Sequence, residues 1–377
     1  MREAPAKLHF ALIPLMSQGH MIPMLDIARL LAERGATVTY ITTPINAARI
    51  NRVSGLPIRF AELPFPAAAA SLPEGCENVD LVPSKELLIP FFSRALSLFR
   101  EVVEDYLRQG QLLNLLPSPS CIIADSCITW AGPVARSIGA RHLVFHGPSC
   151  FSLLCSMLID RHKVLQTVAD DLEHFVVPEL PYKIVVNRAQ APGWFNTLGL
   201  EKMRQEIFAG EAAADGVVLN SCEELELYFI EKYREAMGKK IAVWPIGPLS
   251  LCNKDFDSKA ARGNPAAIDV ELLLSWLDAK VAGSVVFVSF GSISRTPPRQ
   301  LMEVGCGLET SGYPFVWVVK ESGSFSCPEV ERWMKEFEQR TTKEQRGLIV
   351  KGWAPQVKIV LLISLRTSFH SQHQIIN

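Results

Sequence analysis

The run Leu8-His9-Phe10-Ala11-Leu12-Ile13-Pro14 is strand-length and almost wholly apolar, so it predicts a strand covered on both of its faces. Residues Met21 to Glu33 follow with apolar side chains at helical spacing, Gly35 ends that helix, and Thr37 to Thr42 starts a second strand. A strand, a helix and a strand in this order make a parallel pair joined by a right-handed crossover, which commits the chain to an α/β architecture. The pattern returns with Cys121 to Asp125 as strand, Thr129 to Ile138 as helix and His142 to Phe145 as strand. Gly216 to Asn220 and Ile241 to Trp244 read as later strands around a helix from Glu223 to Met237.

Between Gly247 and Asn264 the composition shifts to Pro, Ser, Asn, Lys and Asp, which reads as a surface linker. Beyond it the α/β pattern starts again. A helix from Asp269 to Ala279 precedes a buried-strand signal from Ser284 to Phe290. Then come a helix from Pro298 to Thr310, a strand from Phe315 to Val319, a charged helix from Glu329 to Arg340 and a strand from Leu348 to Val350. The expected organisation is an N-terminal domain over 1–246, a linker over 247–268, a C-terminal domain over 269–360 and a divergent tail over 361–377. The second domain shows three strands, against about 5–6 in an average sheet, and is expected to be incomplete.

At 377 residues the chain can bury two cores of ordinary size. Its formal net charge of −1, with both signs interspersed, excludes the electrostatic field that draws a protein to nucleic acid or an anionic membrane. A small, roughly neutral ligand fits better. The nine cysteines have neither metal-ligand nor framework spacing, so reduced thiols in a cytoplasmic protein are expected. Met1 to Lys7 leads into a strand-length apolar run rather than a signal peptide, and no apolar stretch reaches the ~18 residues that span a bilayer. A soluble monomer without membrane or nucleic-acid partners is the expectation.

Four places can carry chemistry. Ser17-Gln18-Gly19-His20 sits where the first strand passes into the first helix, and ligands of open α/β sheets bind at the carboxyl ends of strands. His20 there is either a general base or a neighbour of the helix cap without chemistry. Asp125 ends the third strand on the same edge of the sheet, so it either caps the next helix or orients His20 as the carboxylate of a hydrolase triad orients its imidazole. Phe290-Gly291-Ser292 ends the first strand of the second half in the equivalent position, where a hydroxyl and exposed amides suit phosphate oxygens. Gly352-Trp353-Ala354-Pro355-Gln356-Val357 carries an indole beside a turn.

Other constellations carry less. Gly305-Cys306-Gly307 lies within a helix, not between strand and helix, and so reads as packing; the missing dinucleotide fingerprint disfavours an NAD-dependent oxidoreductase. No Gly-x-Ser-x-Gly elbow is present, which disfavours an esterase. His370 and His373 lack cysteine partners for zinc, and no metal site is expected.

Taken in order, Ser-Gln-Gly-His-x-x-Pro, Ala-Asp-Ser, Pro-Ile-Gly-Pro-Leu, Trp-Leu-Asp, Ser-Val-Val-Phe-Val-Ser-Phe-Gly-Ser, Phe-Val-Trp-Val and Gly-Trp-Ala-Pro-Gln-Val resemble the plant family-1 UDP-dependent glycosyltransferases over roughly residues 8 to 360. The resemblance implies the GT-B fold of two Rossmann-like domains, with the acceptor on the N-terminal one and the UDP-sugar on the C-terminal one. It implies an inverting, metal-independent transfer of a hexose, with glucose expected, to a hydroxyl of a small plant metabolite such as a flavonoid or terpenoid. The UDP-sugar is then a co-substrate, and no cofactor is expected. By position, His20 deprotonates the acceptor and Asp125 holds the imidazolium. Ser292 contacts the phosphates, Trp353 stacks on uracil, Ala354 binds the base edge through its backbone, and Gln356 lies along the uridine. The resemblance also implies a longer nucleotide-sugar box than the one ending in this chain, so a C-terminal truncation and a catalytically impaired member that binds only acceptor form the alternative. Acceptor loops are expected at Pro83 to Arg94, Ser149 to Leu154 and Gly193 to Leu198, which do not specify a substrate by themselves.

Overall fold

The computed structural model describes residues 8–50, 52, 55–113, 118–191, 195, 197, 199–238, 240–252, 262–281, 283–320, 328–361 and 365–370. The middle of the expected linker, most of the loop expected at Gly193 to Leu198, and the end of the tail, His373 included, lie outside the described residues. Contacts along the backbone divide the chain into two compact units, the first running essentially to Lys254 and the second from Asp255.

The first unit is built on a seven-stranded sheet. Its elements are β1 (His9–Ile13), α1 (Gln18–Glu33), β2 (Thr37–Thr42), β3 (Ile58–Glu62), α2 (Leu96–Leu112), β4 (Cys121–Asp125), α3 (Ala131–Ser137), β5 (Arg141–His146), α4 (Cys150–Arg161), a small antiparallel hairpin of β6 (His174–Val176) and β7 (Val185–Asn187), α5 (Glu201–Ala212), β8 (Gly216–Leu219), α6 (Glu223–Met237) and β9 (Ala242–Pro245). The strands lie in the order β3-β2-β1-β4-β5-β8-β9 and every pairing is parallel. Strands buried on both faces must be largely apolar, and β1 and β4 are, apart from His9 at the start of one and Asp125 at the end of the other. Helix α1 lays Met21, Met24, Ile27 and Ala28 on the sheet. The Tyr40 hydroxyl of β2 donates to the Met21 carbonyl at 2.9 Å, which ties the first turns of α1 to the sheet.

The chain runs outward from β1 through β2 to β3, then returns to lay β4 on the other side of β1. That reversal leaves a crevice at the carboxyl ends of β1 and β4, because the connections leaving the two strands go opposite ways.

The second unit contains α7 (Val270–Asp278), β10 (Val285–Ser289), α8 (Pro298–Ser311), β11 (Phe315–Val319), α9 (Pro328–Lys343), β12 (Gly347–Lys351), α10 (Gln356–Leu361) and β13 (Leu365–His370), with strand order β12-β11-β10-β13, all parallel. Alternate residues of β10 face different cores. Val285 and Phe287 pack with Leu273 and Leu277 of α7, whereas Val286 and Val288 pack with Leu301, Trp317 and Phe337. Asp269 caps α7 by accepting from the Glu271 and Leu272 amides. Gly305 packs as expected from the sequence: a Cβ there would come within 2.3 Å of the Trp333 ring.

The second sheet has four strands rather than three, because Leu365–His370 of the divergent tail pairs with β10. Ladder bonds join main chains, so a segment with no family pattern can still fill an open sheet edge. The expected linker is also docked at both ends. Leu249 is fully buried and its N–H donates to Asn220 Oδ1 at 2.9 Å, while the Ala267 N–H donates to the Trp353 carbonyl at 2.8 Å.

His142 of β5 is buried beside Gly132, and neither ring nitrogen has a hydrogen-bond partner among the described residues. Burial pushes its pKa down to about 4, against opposition from the Asp215 carboxylate. Below the ordinary value of 6.5 the unfolded chain therefore takes up a proton that the folded one refuses. Stability of the first unit should fall from pH 6.5 toward pH 4. His142→Leu should remove up to about 3 kcal/mol of that slope, as read by urea unfolding across the interval.

Candidate active site

Helix α1 begins directly after the turn that follows β1, with Ser17 extended at the cap and its carbonyl accepting the His20 N–H at 3.0 Å. His20 thus stands in the first helical turn over the crevice between β1 and β4. Gly19 before it is exposed, and a Cβ there would meet nothing within 4 Å. Ile13 pairs with Ala124, so Asp125 ends β4 level with the end of β1.

The two side chains meet across 105 positions of sequence: His20 Nδ1 lies 2.7 Å from Asp125 Oδ2. The other carboxylate oxygen accepts the Cys127 N–H at 3.0 Å, so Asp125 is engaged on both sides. The expected alternative, a helix cap on the Thr129 side, is therefore met in part by a tight turn, while the free oxygen goes to His20. The histidine side chain keeps 28 % of its surface exposed and the aspartate 1 %. Burial alone would lower the His20 pKa, but the charge and hydrogen bond of Asp125 outweigh it and raise the value above 6.5. Burial would raise Asp125, and the His20 charge, its hydrogen bond and the Cys127 amide together bring it below 3.8. An imidazole whose Nδ1 hydrogen goes to a carboxylate leaves Nε2 free to accept a proton.

A second histidine lies on the same edge and was not singled out from the sequence. His146 ends β5, and its Nε2 lies 2.9 Å from Glu211 Oε1 of α5, with both side chains buried. The Tyr233 hydroxyl of α6 donates to the other Glu211 oxygen at 3.2 Å. His20, Ser126, His146, Ser152, Phe208 and Glu211 all line one pocket. The strand-end argument that singled out Asp125 applies equally to His146, whereas nothing in the sequence marks a mid-helix glutamate.

In the second unit Ser292 follows Gly291, whose φ of 82° is available to glycine at little cost, at the end of β10. The strand order there also reverses, between β10 and β13, so Ser292 stands at a switch point like that of His20. Trp353, Ala354 and Gln356 form one turn after β12. Ala354 is buried with Val350, Ile359 and Leu273, and its carbonyl accepts the Gln356 N–H at 2.8 Å, leaving one lone pair of that oxygen. Gln356 is exposed and Trp353 half-buried. One strand separates β10 from β12, so their ends lie about 10 Å apart, roughly the reach of a nucleoside diphosphate.

The benzo edge of Trp353 rests on Gly263: a Cβ there would come within 2.3 Å of Cζ2, and Gly263 has a φ of 81°. The end of the expected linker thus holds the indole.

The model of the family described as glycosyltransferase, N-terminal domain, matches residues 7–251. UDP-glycosyltransferase 73C3 of Arabidopsis thaliana is 44 % identical over 363 residues, covering 94 % of this chain and 71 % of that protein. UDP-glycosyltransferase 73C11 of Barbarea vulgaris is 42 % identical with the same two coverages. Among solved structures, UGT73P12 of Glycyrrhiza uralensis, complexed with glycyrrhetinic acid 3-O-monoglucuronide, matches with a TM-score of 0.81 at 31 % identity, over 97 % of this chain and 73 % of that one. UGT71G1 of Medicago truncatula, complexed with UDP-glucose, shares the fold with a TM-score of 0.75 at 20 % identity, over 100 % of this chain and 78 % of that one. The fold is that of GT-B glycosyltransferases, two Rossmann-like α/β domains. The chain belongs to the plant UDP-glycosyltransferases.

Asp125→Asn removes the charge that raises His20 while leaving the burial that lowers it. The His20 pKa, followed by NMR titration of the ring protons, should fall below its value in the unmodified protein. Gly263→Ala should destabilise the second unit by about 1–3 kcal/mol through its positive φ, and shift Trp353 emission as the indole moves. Unfolding followed by intrinsic fluorescence reads both.

Proposed function

We propose that this UDP-glycosyltransferase moves a hexose, glucose, from its UDP-sugar to a hydroxyl of a small hydroxylated plant metabolite, with inversion. His20 Nε2 takes the acceptor proton, the freed oxygen attacks the anomeric carbon, and the bond from that carbon to the UDP oxygen breaks. The electron pair leaves with UDP, and one displacement at one carbon inverts it. Asp125 stabilises the imidazolium formed in this step. The N-terminal unit takes the acceptor. The C-terminal unit takes the donor, with Trp353 stacked on uracil, the Ala354 backbone at the base edge, Gln356 along the uridine and Ser292 at the phosphates. UDP-sugar serves as a co-substrate, so the scheme calls for no resident cofactor.

The observation that carries this reading is the 2.7 Å contact of His20 with a buried carboxylate at a switch point, in a chain whose relatives are UDP-glycosyltransferases. An impaired member that binds acceptor alone gains no support from those relatives. The cysteines among the described residues are free, five of them buried, which fits a reducing cytoplasm, the compartment we propose.

His20→Ala should lower UDP release by about 10²–10⁴-fold with acceptor affinity changed less than about threefold, as a general base contributes to the rate rather than to binding. A variant that keeps most of its turnover would sink the assignment. The base works only when neutral, and Asp125 raises its pKa. The rate should therefore climb with pH through a midpoint above 6.5. In Asp125→Asn that midpoint should move to lower pH while the plateau drops.

A further inference from the structure

The scheme above leaves His146 and Glu211 unused, although they share the pocket on which His20 opens. Their side chains are 2 % and 4 % exposed. A buried carboxylate is expensive unless paired, and among the described residues this one has the off-axis approach of His146 and a long bond from Tyr233. His146 Nε2 itself makes no hydrogen bond among the described residues, despite the Glu211 oxygen 2.9 Å away. An unmade hydrogen bond at a buried nitrogen costs on the order of 1–3 kcal/mol. Such a group in a native interior calls for a partner that comes from outside the chain, water or ligand.

The surroundings limit what that partner can be. Phe208 and Leu153 supply apolar wall, with the hydroxyls of Ser126 and Ser152. The enclosed space is about 30 Å³, room for about two waters. It admits a hydroxyl on the end of an apolar scaffold, not a whole ring.

We propose that His146 and Glu211 determine acceptor specificity by hydrogen-bonding a second hydroxyl of the acceptor, one that is not glycosylated, while the reacting hydroxyl meets His20. This rests on the reading of the N-terminal unit as the acceptor binder, and adds the class of acceptor: a largely apolar molecule with at least two separated hydroxyls. An acceptor with only the reacting hydroxyl displaces water from the pair and gives nothing back. Sites built to hydrogen-bond a hydroxyl reject the analogue without it for that reason.

The test is direct titration, without donor, of a stilbene bearing a phenol on each ring and of the same stilbene lacking one phenol. The unmodified protein should bind the first at least about tenfold tighter, and His146→Leu and Glu211→Met should each bring the ratio to within about twofold of one. Thermal midpoints identify a variant that has lost its fold, in which case the other variant carries the test. His20→Ala should lose turnover and keep the ratio. Equal affinity for the two stilbenes in the unmodified protein, or an undiminished ratio in the folded variants, would overturn the proposal and leave the transferase reading standing. Failure of both stilbenes to bind would overturn the acceptor-site reading and the proposal together.

Discussion

A buried carboxylate has to be paired, and the pairing of Asp125 organises the crevice of the first unit. Desolvation works against its charge; His20 and the Cys127 amide reverse that and hold it ionised. The same contact fixes the histidine's tautomer and leaves Nε2 outward. None of this is possible without the reversal of strand order, which puts the end of β4 beside the end of β1 and leaves no crossover above them. Tyr40 and the apolar face of α1 then fix the helix whose first turn carries His20.

The second unit repeats this plan with different residues. Its own reversal sets Ser292 at the end of β10, while the turn after β12 carries the indole. Core packing holds that turn through Ala354, and the close approach of Gly263 holds it from the other side. Position at a strand end therefore places a residue over a crevice, and the residue type sets what it offers there.

Most of the fold could be read from the chain because buried parallel strands must be apolar and helices on them must be amphipathic. The strand from Phe315 to Val319 and the helix from Glu223 to Met237 occur as the pattern implies. Helix α1 starts three residues earlier than the periodicity, at Gln18, because its first turn is polar and exposes Gly19 and His20 to the crevice. The tail strand was not legible, since its pairing depends on main-chain ladders and an open edge rather than on side-chain pattern. Glu211 was not legible either: a glutamate in a helix is ordinarily solvated, and only the tertiary approach of His146 at the end of β5 and of Tyr233 on α6 takes this one out of water.

The sequence by itself determined the α/β class, the two-part organisation of strands and helices, and the residue types at the strand ends, because each follows from local periodicity and from chain order. Tertiary structure alone decided which of those ends meet. The 2.7 Å approach of His20 to Asp125, the burial of His146 against Glu211 and the seat of Trp353 on Gly263 join residues far apart in the chain. Their energies come from desolvation and close contact, which exist only once the strands are ordered in a sheet and the helices have closed over it.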